Sequence, residues 1–179
     1  MTTKVAIFDF DGTLFDSAPF WMKTINTYLI ERGVKPPPNI MGIAKPLGIK
    51  ATVEMFIERF GLEESVPEMV AAWREEVGEN YRRRIPLKAC AREYILALKE
   101  RGIHVCLATA MEREFLEPAL LRTGIYELFE LIVTIADVQS DKNSATIFLH
   151  CADCFDALPE ECMVFDDAYT AAEICKNAG

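Results

Sequence analysis

Asp9 and Asp11 stand two residues apart directly after the first apolar run, Val5-Ala6-Ile7-Phe8, and Gly12 and Thr13 follow them. Four apolar residues without alternation predict a short strand buried on both faces. In an extended backbone the side chains at i and i+2 project to one side, so both carboxylates are expected together at the strand's carboxyl end. Open α/β sheets place their ligands at that end. Two like charges so close repel, and each raises the other's pKa unless a cation lies between them. Gly12 allows close approach of the backbone to a ligand, and Thr13 adds a hydroxyl. The combination suits a divalent metal and a phosphate. The competing reading is a solvated Asp pair at a turn.

Two later apolar runs end in chemistry of the same kind. Ile103 to Ala108 leads into Thr109, and Cys162-Met163-Val164-Phe165 leads into Asp166 and Asp167. Another run, Leu131-Ile132-Val133-Thr134, is followed by a loop that carries Lys142. Helical patterns separate the runs. Ala91, Tyr94, Ile95 and Leu98 lead to Arg101-Gly102; Phe115, Leu116, Ala119 and Leu120 lead to Gly124; Ile147 and Phe148 mark the next. Such alternation predicts right-handed crossovers and a parallel sheet of Rossmann-like α/β type, with all strand ends at one edge. A Thr after a strand is by itself most often a cap, and a loop Lys is most often solvated. Their joint placement with four aspartates is what argues for a site.

In that site Asp9 is the candidate nucleophile, because a carboxylate can form an acyl phosphate. Asp11 could protonate the leaving oxygen and later deprotonate the attacking water. Mg²⁺ takes hard oxygen ligands, commonly one or two carboxylates plus phosphate oxygens. Asp9, the backbone carbonyl of Asp11, and Asp166 or Asp167 could supply them. Thr109 and the amide of Ala110 would bond phosphate oxygens, and Lys142 would neutralise charge on the phosphoryl group and on Asp9.

The stretch from Phe15 to Arg84 carries no strand signal. Trp21, Ile25, Tyr28 and Leu29 form a helical stripe ending at Gly33, and Pro36-Pro37-Pro38 breaks the chain. Thr52 to Phe60 predicts a second helix and Val66 to Tyr81 a third. The expected organisation is a core of residues 1–14 and 86–179 with a helical insertion, 15–85. Lys176-Asn177-Ala178-Gly179 repeats the closing form of the helices before Gly102 and Gly124. A final core strand is therefore expected to follow and is missing, as in a truncated form of a longer protein.

Composition narrows the function classes. Hydrophobic residues make up 51% and charged residues 26% of the 179, ordinary globular usage rather than disorder. A formal net charge of −9 disfavours non-specific nucleic-acid binding, and Arg82-Arg83-Arg84 reads as a solvated face. No apolar stretch approaches the ~18 residues of a membrane span, and the short lead Met1-Thr2-Thr3-Lys4 leaves no room for a signal peptide. A soluble, cytoplasmic protein is expected, most simply a monomer. Of the six cysteines, Cys90, Cys106, Cys162 and Cys175 lie inside apolar patterns and read as buried thiols. The CxxC of Cys151 and Cys154 is weak, and Cys151 belongs to an apolar helix face with Ile147, Phe148, Ala152 and Phe155.

FDFDGTLFDS, a helical insertion, a strand ending in Thr, a Lys loop and a strand ending in paired acids together resemble the haloacid dehalogenase superfamily. The position of the insertion is most similar to its β-phosphoglucomutase-like and phosphoglycolate-phosphatase-like branch. The resemblance implies Asp9 as nucleophile, Asp11 as acid/base, Thr109 and Lys142 at the phosphate, and Asp166 and Asp167 as metal-binding acids. It also implies that the insertion is a mobile cap whose closure excludes water. The chain departs from the pattern in three places. Trp21 stands where the mutases of this branch usually carry His, which argues against mutase activity; it also fits a core stripe. The usual KPxP reads Lys142-Asn143-Ser144-Ala145, so two ring constraints are lost. Ala110-Met111 follows Thr109 where small polar residues are frequent. Dehalogenases and phosphonatases of the superfamily carry an aromatic or a small residue at the position of Asp11, so both are set aside.

The resulting expectation is a Mg²⁺-dependent phosphatase acting on a small phosphate ester, a sugar phosphate being one candidate. The rivals are a phosphomutase and a non-catalytic binding domain on the same scaffold. In the insertion, Lys45 and Lys50 are candidates to face an anionic substrate, against the simpler reading of solvated lysines.

Overall fold

The computed structural model describes residues 2–44, 47–139 and 144–179. Four parallel strands, β1 (Val5–Phe8), β2 (His104–Thr109), β3 (Leu131–Thr134) and β4 (Cys162–Phe165), form one sheet in the order β3-β2-β1-β4. β1 is central and fully buried, as four apolar residues without alternation require. Its register pairs Phe8 with Leu107 on one side and with Phe165 on the other. Thr109 pairs with Thr134 at the end of β3. Every strand therefore ends at the same edge, and the last residue before each polar group lies in the sheet.

The chain divides into two compact units, Met1–Ser17 with Ile85–Gly179, and Ala18–Arg84. In the first, Val5, Ile7, Cys106, Ala108 and Val133 face a core closed by Ile147, Phe148 and Cys151 of α7 (Thr146–Asp153) and Ala171 of α8 (Tyr169–Ala178). The other sheet face carries Phe8 stacked on Phe165 at 4.5 Å, with Tyr94 of α5 (Ala91–Glu100) edge-on to both rings. α6 (Arg113–Thr123) ends at Gly124 with φ 68°, a left-handed cap that a β-carbon would strain.

The second unit is helical throughout its described residues: α1 (Ala18–Glu31), α2 (Ile40–Ala44), α3 (Gly48–Phe60) and α4 (Val66–Arg83). Its core is aromatic. Trp73 meets Tyr28 and Phe56 edge-to-face at 5.3 and 5.6 Å, and Ile25, Leu29, Ile40 and Val53 fill the space around them. Ser65 caps α4, its hydroxyl accepting the Glu68 amide and donating to the Glu68 carboxylate. Arg82 and Arg83 are exposed and paired with Glu75 and Glu79, so the basic run is a solvated face.

Two expectations need correction. Cys90 is exposed, because it sits in a left-handed turn (φ 63°) one residue before α5 and so outside its apolar stripe. Cys162 and Cys175 are only half-buried, Cys106 and Cys151 are fully buried, and none of the six, all among the described residues, forms a disulfide. The short helix α2 carries no sequence signal, because five residues are too few to show a helical period.

Candidate active site

β1 stops at Phe8; Asp9 follows it directly, Phe10 enters a turn, and Asp11 forms an isolated bridge with Phe15. The Asp9 amide still donates to the Phe165 carbonyl at 2.8 Å, but the next residue folds under. Phe10 is fully buried against Phe15, ring centroids 4.4 Å apart, and its carbonyl accepts the amides of Leu14 (3.1 Å) and Phe15 (2.9 Å). The Gly12 amide closes the turn on the Phe15 carbonyl at 2.9 Å. One buried aromatic thus anchors the turn from below and holds its polar residues at the sheet edge.

Asp9 is 5% exposed, a burial that a lone carboxylate tolerates poorly. It has company. Ligand oxygens of Asp9, Asp166 and Asp167 lie within 4.8 Å of one another. They meet because β4 lies beside β1, so the residues after Phe165 fall next to the residue after Phe8. Three carboxylates at such spacing repel by about 3 kcal/mol per pair at an effective dielectric near ~20, and a divalent cation reverses the sign. The donors are all hard oxygens. Mg²⁺ takes donors of this type, and its opposed ligands lie about 4.2 Å apart, a spacing that these carboxylates reach with small shifts. Gly12 borders the cluster closely, for a β-carbon there would stand 2.2 Å from Asp167 Oδ2.

On the neighbouring strand, Thr109 is 1% exposed. Its hydroxyl accepts the Met111 amide at 3.0 Å, across Ala110, and its carbonyl accepts the Ile135 amide at 3.0 Å. In the sequence Thr134, at the end of β3, is only the last residue of an apolar run. It is buried, and its amide and hydroxyl both donate to Asp137, at 2.7 and 2.9 Å. A second strand-terminal Thr in register with Thr109 was the signal that could have marked it. The Thr13 hydroxyl is buried and finds no partner among the described residues.

The remaining sequence candidates are placed as follows. Asp11 is half-buried in the turn and its carboxylate is not one of the three clustered acids. Trp21, in the helical unit, is half-buried and its indole N–H donates to the Tyr81 hydroxyl at 3.0 Å. Lys50 is exposed, 3.8 Å from Glu54. Lys45 and Lys142 lie outside the described residues.

A family model described as haloacid dehalogenase-like hydrolase matches residues 3–179. This chain belongs to the haloacid dehalogenase-like hydrolases. Among curated relatives, it is 25% identical to the phosphoglycolate phosphatase of Thiobacillus denitrificans over 98% of its own length and 80% of the relative's. It is 26% identical to the phosphorylated carbohydrates phosphatase of Thermotoga maritima over 98% of its length and 82% of the relative's. Its fold matches that of CbbY from Rhodobacter sphaeroides, solved in complex with phosphate, with a TM-score of 0.79 at 20% identity, covering 99% of this chain and 84% of that one. It is an enzyme of the phosphoric monoester hydrolase kind. No helix among the described residues is long and apolar enough to cross a membrane.

Proposed function

We infer that this hydrolase is a Mg²⁺-dependent phosphatase that cleaves a small phosphate monoester, with sugar phosphates as the favoured class, through a phosphorylated Asp9. The observation that carries the reading is the meeting of Asp9, Asp166 and Asp167 within 4.8 Å at the carboxyl edge of the sheet. The similarity to the phosphorylated carbohydrates phosphatase of Thermotoga maritima supports the substrate class.

In the first step a carboxylate oxygen of Asp9 attacks phosphorus, and the bond from phosphorus to the ester oxygen breaks. Asp11, protonated, gives its proton to that departing oxygen. Thr109 and the Ala110 amide donate to the phosphoryl oxygens, whose charge is spread most widely in the transition state. In the second step Asp11, now a carboxylate, takes a proton from water as the water attacks the same phosphorus. Inorganic phosphate leaves and Asp9 is restored. Asp9, the Asp11 carbonyl, Asp166 and Asp167 would hold Mg²⁺, which supplies charge neutralisation between the carboxylates and the phosphoryl oxygens. Lys142 adds a positive charge in this reading. Substrate choice belongs to the helical unit, with Trp21 and Lys45 as its candidates; core motif and fold do not select a substrate.

The test is a panel of phosphorylated metabolites assayed for inorganic phosphate, with and without Mg²⁺ and without any sugar bisphosphate. Mg²⁺-dependent release is expected, and Asp9→Asn should lower kcat by at least about 10³-fold, as loss of a nucleophile does. Turnover that needs a bisphosphate activator would mark a mutase instead. Wild-type activity in the Asp9→Asn variant, or no turnover on any ester, would sink the phosphatase reading.

A further inference from the structure

The Thr109 turn is closed into a ring of polar contacts. Arg113 opens α6, two residues after Met111. Its Nη2 donates to the Asp137 carboxylate at 2.8 Å and to the Ile132 carbonyl at 3.1 Å. The same carboxylate oxygen of Asp137 accepts the Thr134 amide and hydroxyl, and the Asp137 amide returns a bond to the Thr134 carbonyl at 3.0 Å. Ile135, inside that turn, donates to the Thr109 carbonyl, and Met111 donates to the Thr109 hydroxyl. Thr109, Met111, Arg113, Asp137, Thr134 and Ile135 thus complete a circuit that joins the exit of β2 to the exit of β3.

Two physical points give the circuit a purpose. With one lone pair of the Thr109 hydroxyl taken by an amide, its proton is what it has left to give, and an anionic oxygen is the natural acceptor. The side chains of Arg113 and Asp137 are 45% and 39% exposed, and ion pairs so exposed contribute little to global stability. Three donors converging on one carboxylate oxygen instead define geometry.

We propose that Arg113 and Asp137 are positioning residues that hold the Thr109–Met111 turn in the form that binds a phosphoryl group. The identity of the ligand rests on the phosphatase reading; the positioning does not. The test compares wild type with Arg113→Met, Asp137→Ala, the double variant and Arg113→Lys. Three quantities are read: amide hydrogen exchange at Met111 and Ile135, calorimetric affinity for inorganic phosphate with Mg²⁺, and KM against kcat on the best ester. Each single variant should speed exchange at both amides and weaken phosphate binding and KM together by about 10-fold, with kcat changed less than about 3-fold. The double variant should be no worse than the poorer single one, because the two residues act as one unit. Arg113→Lys, which keeps the charge but not the fork, should recover part of the loss. Unchanged exchange, or faster exchange with unchanged phosphate affinity, overturns the proposal. So does a wild-type protein that binds no phosphate. Phosphate binding that follows the circuit without any ester hydrolysis would sustain this proposal while removing the phosphatase reading.

Discussion

A methyl group on Gly12 would have nowhere to go. The residue has φ +82°, where a side chain is strained, and the added carbon would fall 2.2 Å from Asp167 Oδ2 and 2.5 Å from its Cγ. Gly12→Ala must therefore bend the turn or push Asp167 away. The backbone strain alone costs about 1 kcal/mol. Displacing Asp167 acts on the metal, so the Mg²⁺ concentration for half-activation should rise by at least about 10-fold. A Mg²⁺ titration of activity, alongside a melt without metal, separates the two effects. A lowered Tm with an unmoved Mg²⁺ titration would remove Asp167 from the proposed metal set. Thr13 is the complementary case: its buried hydroxyl lacks a partner among the described residues, an unusual condition for a polar atom.

At the level of elements, the helical unit depends on one side chain more than any other. Trp73 of α4 is 2% exposed and sits between Tyr28 of α1 and Phe56 of α3. Its indole N–H has no partner among the described residues, so it contributes packing and no hydrogen bond. Trp73→Ala should cost about 3–5 kcal/mol by opening a cavity, whereas Trp73→Phe should cost less than about 1.5 kcal/mol. Urea denaturation of the two variants checks this. A Phe variant as damaged as the Ala variant would mean that the indole N–H makes a bond that matters. Nearby, Tyr28 is held by Glu64 and by the Met69 sulfur, and the Arg32 guanidinium lies 3.5 Å over its ring. These contacts tie α1 to the start of α4 at a position where sequence periodicity records only a hydrophobic stripe.

For the molecule as a whole, acid should be the weak side. Burial pushes the Glu130 carboxyl up, but bonds from His104, Lys99 and the Val105 amide outweigh it and hold it below the usual carboxylate range. Asp137 follows the same logic, burial being outweighed by Thr134 and Arg113. A carboxyl depressed in the folded state adds stability above its unfolded pKa, near about 4, and loses it as pH falls through the lower folded value. Tm should therefore hold from neutral pH to about 5 and then fall. Glu130→Gln should melt lower than wild type at pH 7, with the gap closing as pH falls below the ordinary carboxylate range. Melts across that range test the sign; a gap that widens in acid would show that Glu130 destabilises the fold. The pair lies at the partly exposed start of β2, so the effect is modest.

Much of this was legible residue by residue. Val5 to Phe8 announces a strand buried on both faces, and the stripe of Ile25, Tyr28 and Leu29 announces α1, because burial is written locally as a period in apolar side chains. The end of each core strand could likewise be read from where the apolar run meets Asp9, Thr109 or Asp166. Strand order could not. Only the folded sheet sets β4 beside β1 and so brings Asp166 and Asp167 to Asp9 from the far end of the chain. The fold of Phe10 beneath the loop, the exposure of Cys90, and the circuit through Arg113 and Asp137 were equally hidden. Each depends on a hydrogen bond or a backbone angle set by partners distant in sequence, and no periodicity records them. Composition and spacing determined which chemistry was available; the tertiary structure decided which groups share one place.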